Sequence, residues 1–301
     1  MNEICALCRK EAKLQLSHII PKFVFRWLKV TSIGGIRSSD IPNVRVQDGL
    51  KIKLLCADCE QLFSKWEQPF YEQIFLPLHD PKPVKRPIAY GHWALKFAIS
   101  VSWRNLQYQR LTDMSHLSQD DIVNVSTALE TWRKVLIGEI PHPQSFMQHL
   151  YPTDVIANHT FPNISPFLNR YLLRSIQMDI LTSSSSVIVY TKLCRLLLFG
   201  IIKEDNPNEW KGANIHVKFG VIKPKDYAMP GSIFSYLNEK ADKAAKSLAS
   251  MSDRQKQKIE ILMKSKSDEI EEAEISRAMK FDVIHSGESA FEITEQLDDE
   301  E

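Results

Sequence analysis

Two short cysteine motifs, Cys5-Ala-Leu-Cys8 and Cys56-Ala-Asp-Cys59, constrain this chain more than any other feature. They hold four of its five cysteines and are separated by 47 residues. A C-x-x-C turn presents two sulfurs to one point, and two such turns supply the four thiolates of a tetrahedral Zn²⁺ at about 2.3 Å. The chain must therefore double back so that residue 56 meets residue 5. A site closed by four thiolates leaves no open position for substrate, so a zinc there holds the fold and does no chemistry. Coincidental pairs or a redox dithiol would leave the grouping of four cysteines in five unexplained. Cys194 lies in an apolar run and reads as a small core residue.

The rest of the composition bounds the class. With 301 residues, 44% hydrophobic and 25% charged, the chain is expected to be an ordinary soluble globular protein rather than a collagen-like, mucin-like or disordered one. The longest apolar stretch, Val187–Ile202, is broken by Lys192 and Arg195 and makes a poor spanning helix. The N-terminal segment has no apolar signal core, so a cytoplasmic location with reduced cysteines and no membrane partner is expected. The net charge of +1 conceals two opposed regions. Between Arg9 and Lys53 ten Lys and Arg face three acids, a local +7; Ser286–Glu301 carries seven acids and no Lys or Arg, a local −7. The first suits a polyanion such as nucleic acid. The second reads as a disordered, solvating tail.

Composition and punctuation divide the chain into residues 1–75, a proline-rich link at 76–87 read as extended, a mixed helical and β region at 88–285, and the acidic tail at 286–301. Ile88 to about Gln109 has helical spacing. A second helix is capped by Ser118 and carries Ile122, Val125, Leu129, Trp132 and Leu136 up to Pro141 and Pro143. Ile176–Leu181, Val187–Leu193, Leu196–Ile201 and Ile215–Ile222 read as three or four strands of an antiparallel sheet, although the run at 196–202 is equally compatible with a buried helix. From Ile233 to about Met279 a long helix is expected.

Between the cysteine pairs, Leu14-Gln15-Leu16-Ser17-His18 alternates like a strand and ends in Ile19-Ile20-Pro21. A second strand, Lys51–Leu55, runs into the second pair. A helix follows on which Glu60, Ser64 and Glu67 share one face. A strand ending in His-Ile-Ile-Pro, set between two C-x-x-C pairs, resembles the zinc-bearing form of the HNH (ββα-metal) endonuclease family. The resemblance covers residues 3–70, under a quarter of the chain.

That resemblance implies an N-terminal zinc-stabilised, treble-clef-like ββα-metal module; with the helices, small antiparallel sheet and long C-terminal helix read above, an α+β protein is expected. Cys5, Cys8, Cys56 and Cys59 would hold the structural zinc. His18 would be the general base. Mg²⁺ or Mn²⁺, held by Glu60 or Glu67, would stabilise charge on the phosphate. Lys22, Arg26, Arg37 and Arg45 would touch phosphates, and Asn43 is the candidate orienting residue. Nucleic acid, DNA by preference, is the implied substrate, with the C-terminal region recognising a target or a protein partner. Two departures from the family pattern, Ser17 where an acid is usual and Glu60 where Asn or His is usual, keep a catalytically degenerate binding module, for nucleic acid or protein, as the alternative.

Overall fold

The first cysteine pair sits in a knuckle between two short paired strands, β1 (Glu3–Ile4) and β2 (Glu11–Ala12). β3 (Leu14–His18) follows, then helix α1 (Lys22–Val30) after Pro21, whose fixed φ suits a helix start. Strands β4 (Ile36–Arg37) and β5 (Arg45–Val46) pair with each other. β6 (Lys51–Cys56) returns antiparallel to β3, placing Leu14 opposite Cys56 and His18 opposite Lys51. It leads directly into α2 (Ala57–Phe70), so the order around the cysteines is strand, strand, helix.

The computed structural model describes residues 2–32, 35–80, 86–157, 163–223, 227–266 and 274–287. Packing divides the chain into two units that cut across the sequence-based segments. The first joins Met1–Val24, Gly49–Pro152 and Ile176–Met229; the second joins Phe25–Asp48, Thr153–Ser175 and Pro230–Glu301. The acidic stretch from Glu288 onward and residues 81–85 of the proline-rich link lie outside the described residues.

In the first unit helix α2 runs on into the segment read as an extended link. Past Pro69 it widens into a π turn at Tyr71–Phe75 and continues as α3 (Leu76–His79). Pro77 falls in the first turn of α3, where its missing N–H is tolerated, so the extended reading of 76–79 is corrected. The N-terminal end of the next expected helix is also corrected. Ile88–Gly91 is a strand, β7, paired with β12 (Phe219–Ile222), and α4 spans Trp93–Thr112. Gly220 makes that pairing feasible, because a Cβ there would fall 2.2 Å from the Tyr90 hydroxyl. α5 (Gln119–Ile137) is capped by Ser118, whose Oγ accepts the Asp121 N–H. It ends at Gly138 in the left-handed conformation, ahead of the prolines.

α4 is buried around nearly its whole circumference, with α2 and α5 packed on it on one side and a four-stranded sheet on the other. The sheet runs β8 (Gln148–Pro152), β11 (Leu196–Glu204), β10 (Ser186–Leu193), β9 (Ile176–Thr182), all antiparallel. The ambiguous run at 196–202 is therefore strand. β8 takes the place in the sheet expected for 215–222. Cys194 is buried, but in the tight turn between β10 and β11 with φ 56° rather than within a strand. Rings close the α2–α4 interface, where Phe70 stacks on Phe97 at 3.6 Å and Phe63 meets Trp103 edge-on at 6.3 Å; beside it Phe23 of α1 meets Phe75 of the π turn edge-on at 5.0 Å.

The second unit holds α6 (Leu168–Arg174), α7 (Gly231–Ala249), α8 (Asp253–Ser265) and α9 (Glu274–Ser286). The long C-terminal helix is thus corrected to separate helices. Its continuity fails at Ser250-Met251-Ser252, where serines favour local backbone bonding over helix and Ser252 takes the extended N-cap conformation of α8. α6 has no cap of its own. Asp282, on α9, supplies one by accepting the Asn169 and Arg170 N–H groups at 2.8 and 3.3 Å while pairing with Arg170 Nε at 2.7 Å. The architecture is mixed α+β with small antiparallel sheets. Among the described residues no helix is long and apolar enough to cross a membrane.

Candidate metal centre

The β1–β2 knuckle is closed by Cys5 N–H to Lys10 O at 3.0 Å and Arg9 N–H to Cys5 O at 2.9 Å, with Arg9 in the left-handed region at φ 62°. Cys56 ends β6 and is the N-cap of α2; Cys59 lies in the first turn. Ala6 N–H to Leu54 O, 3.1 Å, ties the knuckle to β6. These elements gather four free thiols whose Sγ atoms all lie within 4.8 Å of one another, Cys8 and Cys56 at 3.8 Å. Four sulfurs each about 2.3 Å from one zinc stand about 3.8 Å apart, so the cluster can hold a zinc ion.

Burial and backbone donors act on the thiols in opposite directions. Burial raises the Cys59 and Cys8 thiols. Burial pushes Cys5 the same way, but backbone N–H donors from Cys8, Cys56 and Leu7 outweigh it and lower that thiol. Cys56 makes no capping bond with its side chain; its sulfur faces the cluster instead. A divalent ion would offset the burial of the thiolates, and the N-terminus of α2 adds a favourable dipole.

At the far end of β3 a second constellation forms within the same unit. Ser17 is fully buried, and its Oγ donates to Glu60 Oε1 on α2. His18, half-buried, ends the strand; its carbonyl accepts from Arg104 Nη1 at 2.9 Å. Arg104 Nη2 donates to Glu67 Oε1 at 2.7 Å, its Nε to Ser100 O at 3.2 Å, and its guanidinium lies 5.2 Å from the Phe63 ring. Ser17, His18, Glu60 and Glu67 are thereby joined through α2 and α4.

The other candidates lie on other elements. Lys22 and Arg26 are exposed, four residues apart on α1. In the second unit Arg37 lies directly across from Arg45 in the β4–β5 pair. Arg37 donates to Pro42 O at 2.7 Å and to Gln255 Oε1 at 3.2 Å; burial, then the Arg45 charge, lowers it from the usual guanidinium range. Asn43 Oδ1 accepts the Ser252 N–H at 2.9 Å, which occupies it at the start of α8.

Two residues absent from the sequence-based set organise the site. Arg104 is one. Arg133 on α5 is the other: its Nη1 donates to Leu7 O at 3.3 Å inside the knuckle, and its Nη2 pairs with Glu130 at 3.0 Å while Glu130 also pairs with Arg9. The sequence carries one signal for both, a charged residue on the apolar stripe of a helix, which must find a buried partner. No family model, curated protein or solved structure matches the chain.

Proposed function

We propose that this chain is a metal-dependent endonuclease of HNH type that hydrolyses phosphodiester bonds, with DNA as the preferred substrate. The observation that carries the reading is the Ser17–Glu60 hydrogen bond, which fixes a carboxylate beside the residue preceding His18. In this reading His18 takes a proton from the attacking water as the new P–O bond forms in line, and the opposite P–O bond breaks, its leaving oxygen taking up a proton from solvent. Glu60 holds Mg²⁺ or Mn²⁺. A carboxylate has about four lone-pair sites, so one bond from a serine does not exhaust it. The zinc on Cys5, Cys8, Cys56 and Cys59 is structural. Lys22, Arg26, Arg37 and Arg45 contribute phosphate contacts that position without specifying sequence. The remainder of the chain recognises a target or a protein partner, in the cytoplasm.

The test is cleavage of supercoiled plasmid by zinc-loaded protein with Mg²⁺, Mn²⁺ or EDTA, beside His18→Ala. Metal-dependent nicking that disappears in the variant supports the reading; equal cutting by the variant overturns it.

A second reading, a degenerate module that binds nucleic acid without cutting, draws on one observation: both candidate carboxylates already have protein partners, Ser17 and Arg104. It predicts binding whose log affinity falls with log salt and no metal-dependent nicking.

A further inference from the structure

We propose that Arg104 is the positioning residue of the His18 site, which it holds through the backbone rather than by touching substrate. This rests on the nuclease reading for its catalytic consequence, though not for its geometry. His18 is the last residue of β3, and after Ile19 N–H to Leu50 O the chain leaves the hairpin for Pro21 and α1. A two-stranded ribbon is a weak frame for a catalytic side chain. Arg104 strengthens it. The guanidinium is 2% exposed and uses its fixed fork of donors in three directions: to the His18 carbonyl, to Glu67 on α2 and to the Ser100 carbonyl on its own helix. It therefore locks the strand end, the helix bearing Glu60 and Glu67, and the central helix α4 into one frame. Glu67 acts in this frame as the partner that neutralises a buried charge. A lysine cannot reproduce the arrangement, because one ammonium lacks the planar fork.

The test uses the full zinc-loaded chain with Arg104→Met, which retains the packed stem over Phe63, and Arg104→Lys. Plasmid nicking is measured as kcat and KM, the ¹H–¹⁵N signals of the His18 ring by NMR, and zinc content by metal analysis. The expected result for Arg104→Met is a kcat lowered about 10- to 100-fold, the scale of a misplacement near 1 Å, with KM within about twofold. Its His18 ring signals shift or split while zinc remains at the wild-type ratio, and Arg104→Lys falls between. Wild-type kcat in Arg104→Met overturns the proposal. So does a loss of cleavage that comes with loss of zinc and of the near-ultraviolet circular dichroism, which would make Arg104 a general fold staple. Glu67→Gln guards against misfolding of the first variant, since it weakens the ion pair from its more exposed side; unmoved His18 signals there would also overturn it. If the wild type cuts nothing, the nuclease reading falls, and the ring signals alone decide the tether: shifted with zinc retained upholds it, unmoved refutes it.

Discussion

Removing the metal should unfold the N-terminal knuckle and leave the α4 core intact. Apart from the four sulfurs, little holds residues 3–12. β1 and β2 are two residues each, and the long-range bonds include Ala6 to Leu54, Arg133 to Leu7, Cys56 N–H to Cys5 Sγ at 3.3 Å, and two largely exposed ion pairs, Lys53–Glu3 and Arg9–Glu130, that add little. At about 1 kcal/mol net per hydrogen bond and about 2–3 kcal/mol for burying Leu7, these contribute roughly 5 kcal/mol. Ordering ten backbones costs roughly 10–20 kcal/mol. An apparent zinc affinity of about 10–16 kcal/mol closes that gap, and no other interaction of the knuckle is of comparable size. The α2–α4 interface rests on rings and does not need the metal. The assay is hydrogen exchange, peptide by peptide, on zinc-loaded protein, on chelator-treated protein and on Cys8→Ser. One zinc per chain is expected in the wild type. In the two metal-free samples protection should collapse over 2–12 and weaken over 51–56, while the middle of α4 and β10 stays protected. A metal-free sample with full protection over 2–12 would refute the reasoning, as would purified protein that binds no zinc at all.

Three other outcomes follow from packing. Asp282→Ala leaves Arg170, 10% exposed, without its carboxylate and α6 without its cap; a loss of about 3–5 kcal/mol is expected, read as a lowered urea midpoint. The double variant Arg170→Met, Asp282→Leu should recover most of it; no recovery would show the cap, not the charge, to be what matters. Gly200→Ala places a Cβ 2.8 Å from Ser102 Oγ and 2.9 Å from the Trp132 ring, and should destabilise by about 1–3 kcal/mol in the same titration, whereas an unchanged midpoint would mean the helix yields. His79 is buried and neutral: Nδ1 donates to Phe75 O at 2.7 Å and Nε2 accepts the Arg195 N–H at 3.1 Å. Burial first, and nearby Arg195 and Lys192, push its pKa down to about 3. A depressed folded value means the unfolded chain binds the proton first. Stability is therefore complete above the unfolded value near 6.5 and declines as pH falls toward 3, by at most about 1.4 kcal/mol per unit; His79→Gln should flatten that slope, and an equal slope would assign the acid sensitivity elsewhere.

What could be read in the residues was whatever depends on local chemistry. The cysteine pairs, the alternation of 14–18, the Ser118 cap and the apolar runs at 176–201 each express a short-range rule, and each matches an element that forms. Long-range pairing was not legible. Ile88–Gly91 looks like a helix lead-in until Phe219–Ile222 pairs with it, and Gln148–Pro152 carries no strand signal apart from its neighbour β11. The proline at 77 misled because the π turn before it carries the helix on, and Pro77 then falls in the first turn of α3, where it is tolerated. In the site, spacing placed Glu60 and Glu67 on one face, yet nothing in it could reveal that residues 104 and 133 close the module.

That closure separates two carboxylates which spacing leaves equivalent. Glu67 faces a guanidinium that is itself buried, so a divalent cation bound there would meet an existing positive charge at close range, in surroundings where water screens poorly. Drawing Glu67 toward a metal would also strand Arg104, and a buried charge without its partner is costly. Glu60 faces a neutral hydroxyl. A cation bound to it meets no opposing charge from Ser17, and the hydroxyl can keep donating to the same carboxylate and fix its orientation, as outer partners of metal ligands do. Under the nuclease reading, then, the serine in the place of an acid changes from a missing ligand into a support for the ligand beside it. On that reading a catalytic metal would belong with Glu60, and Glu67 with the frame.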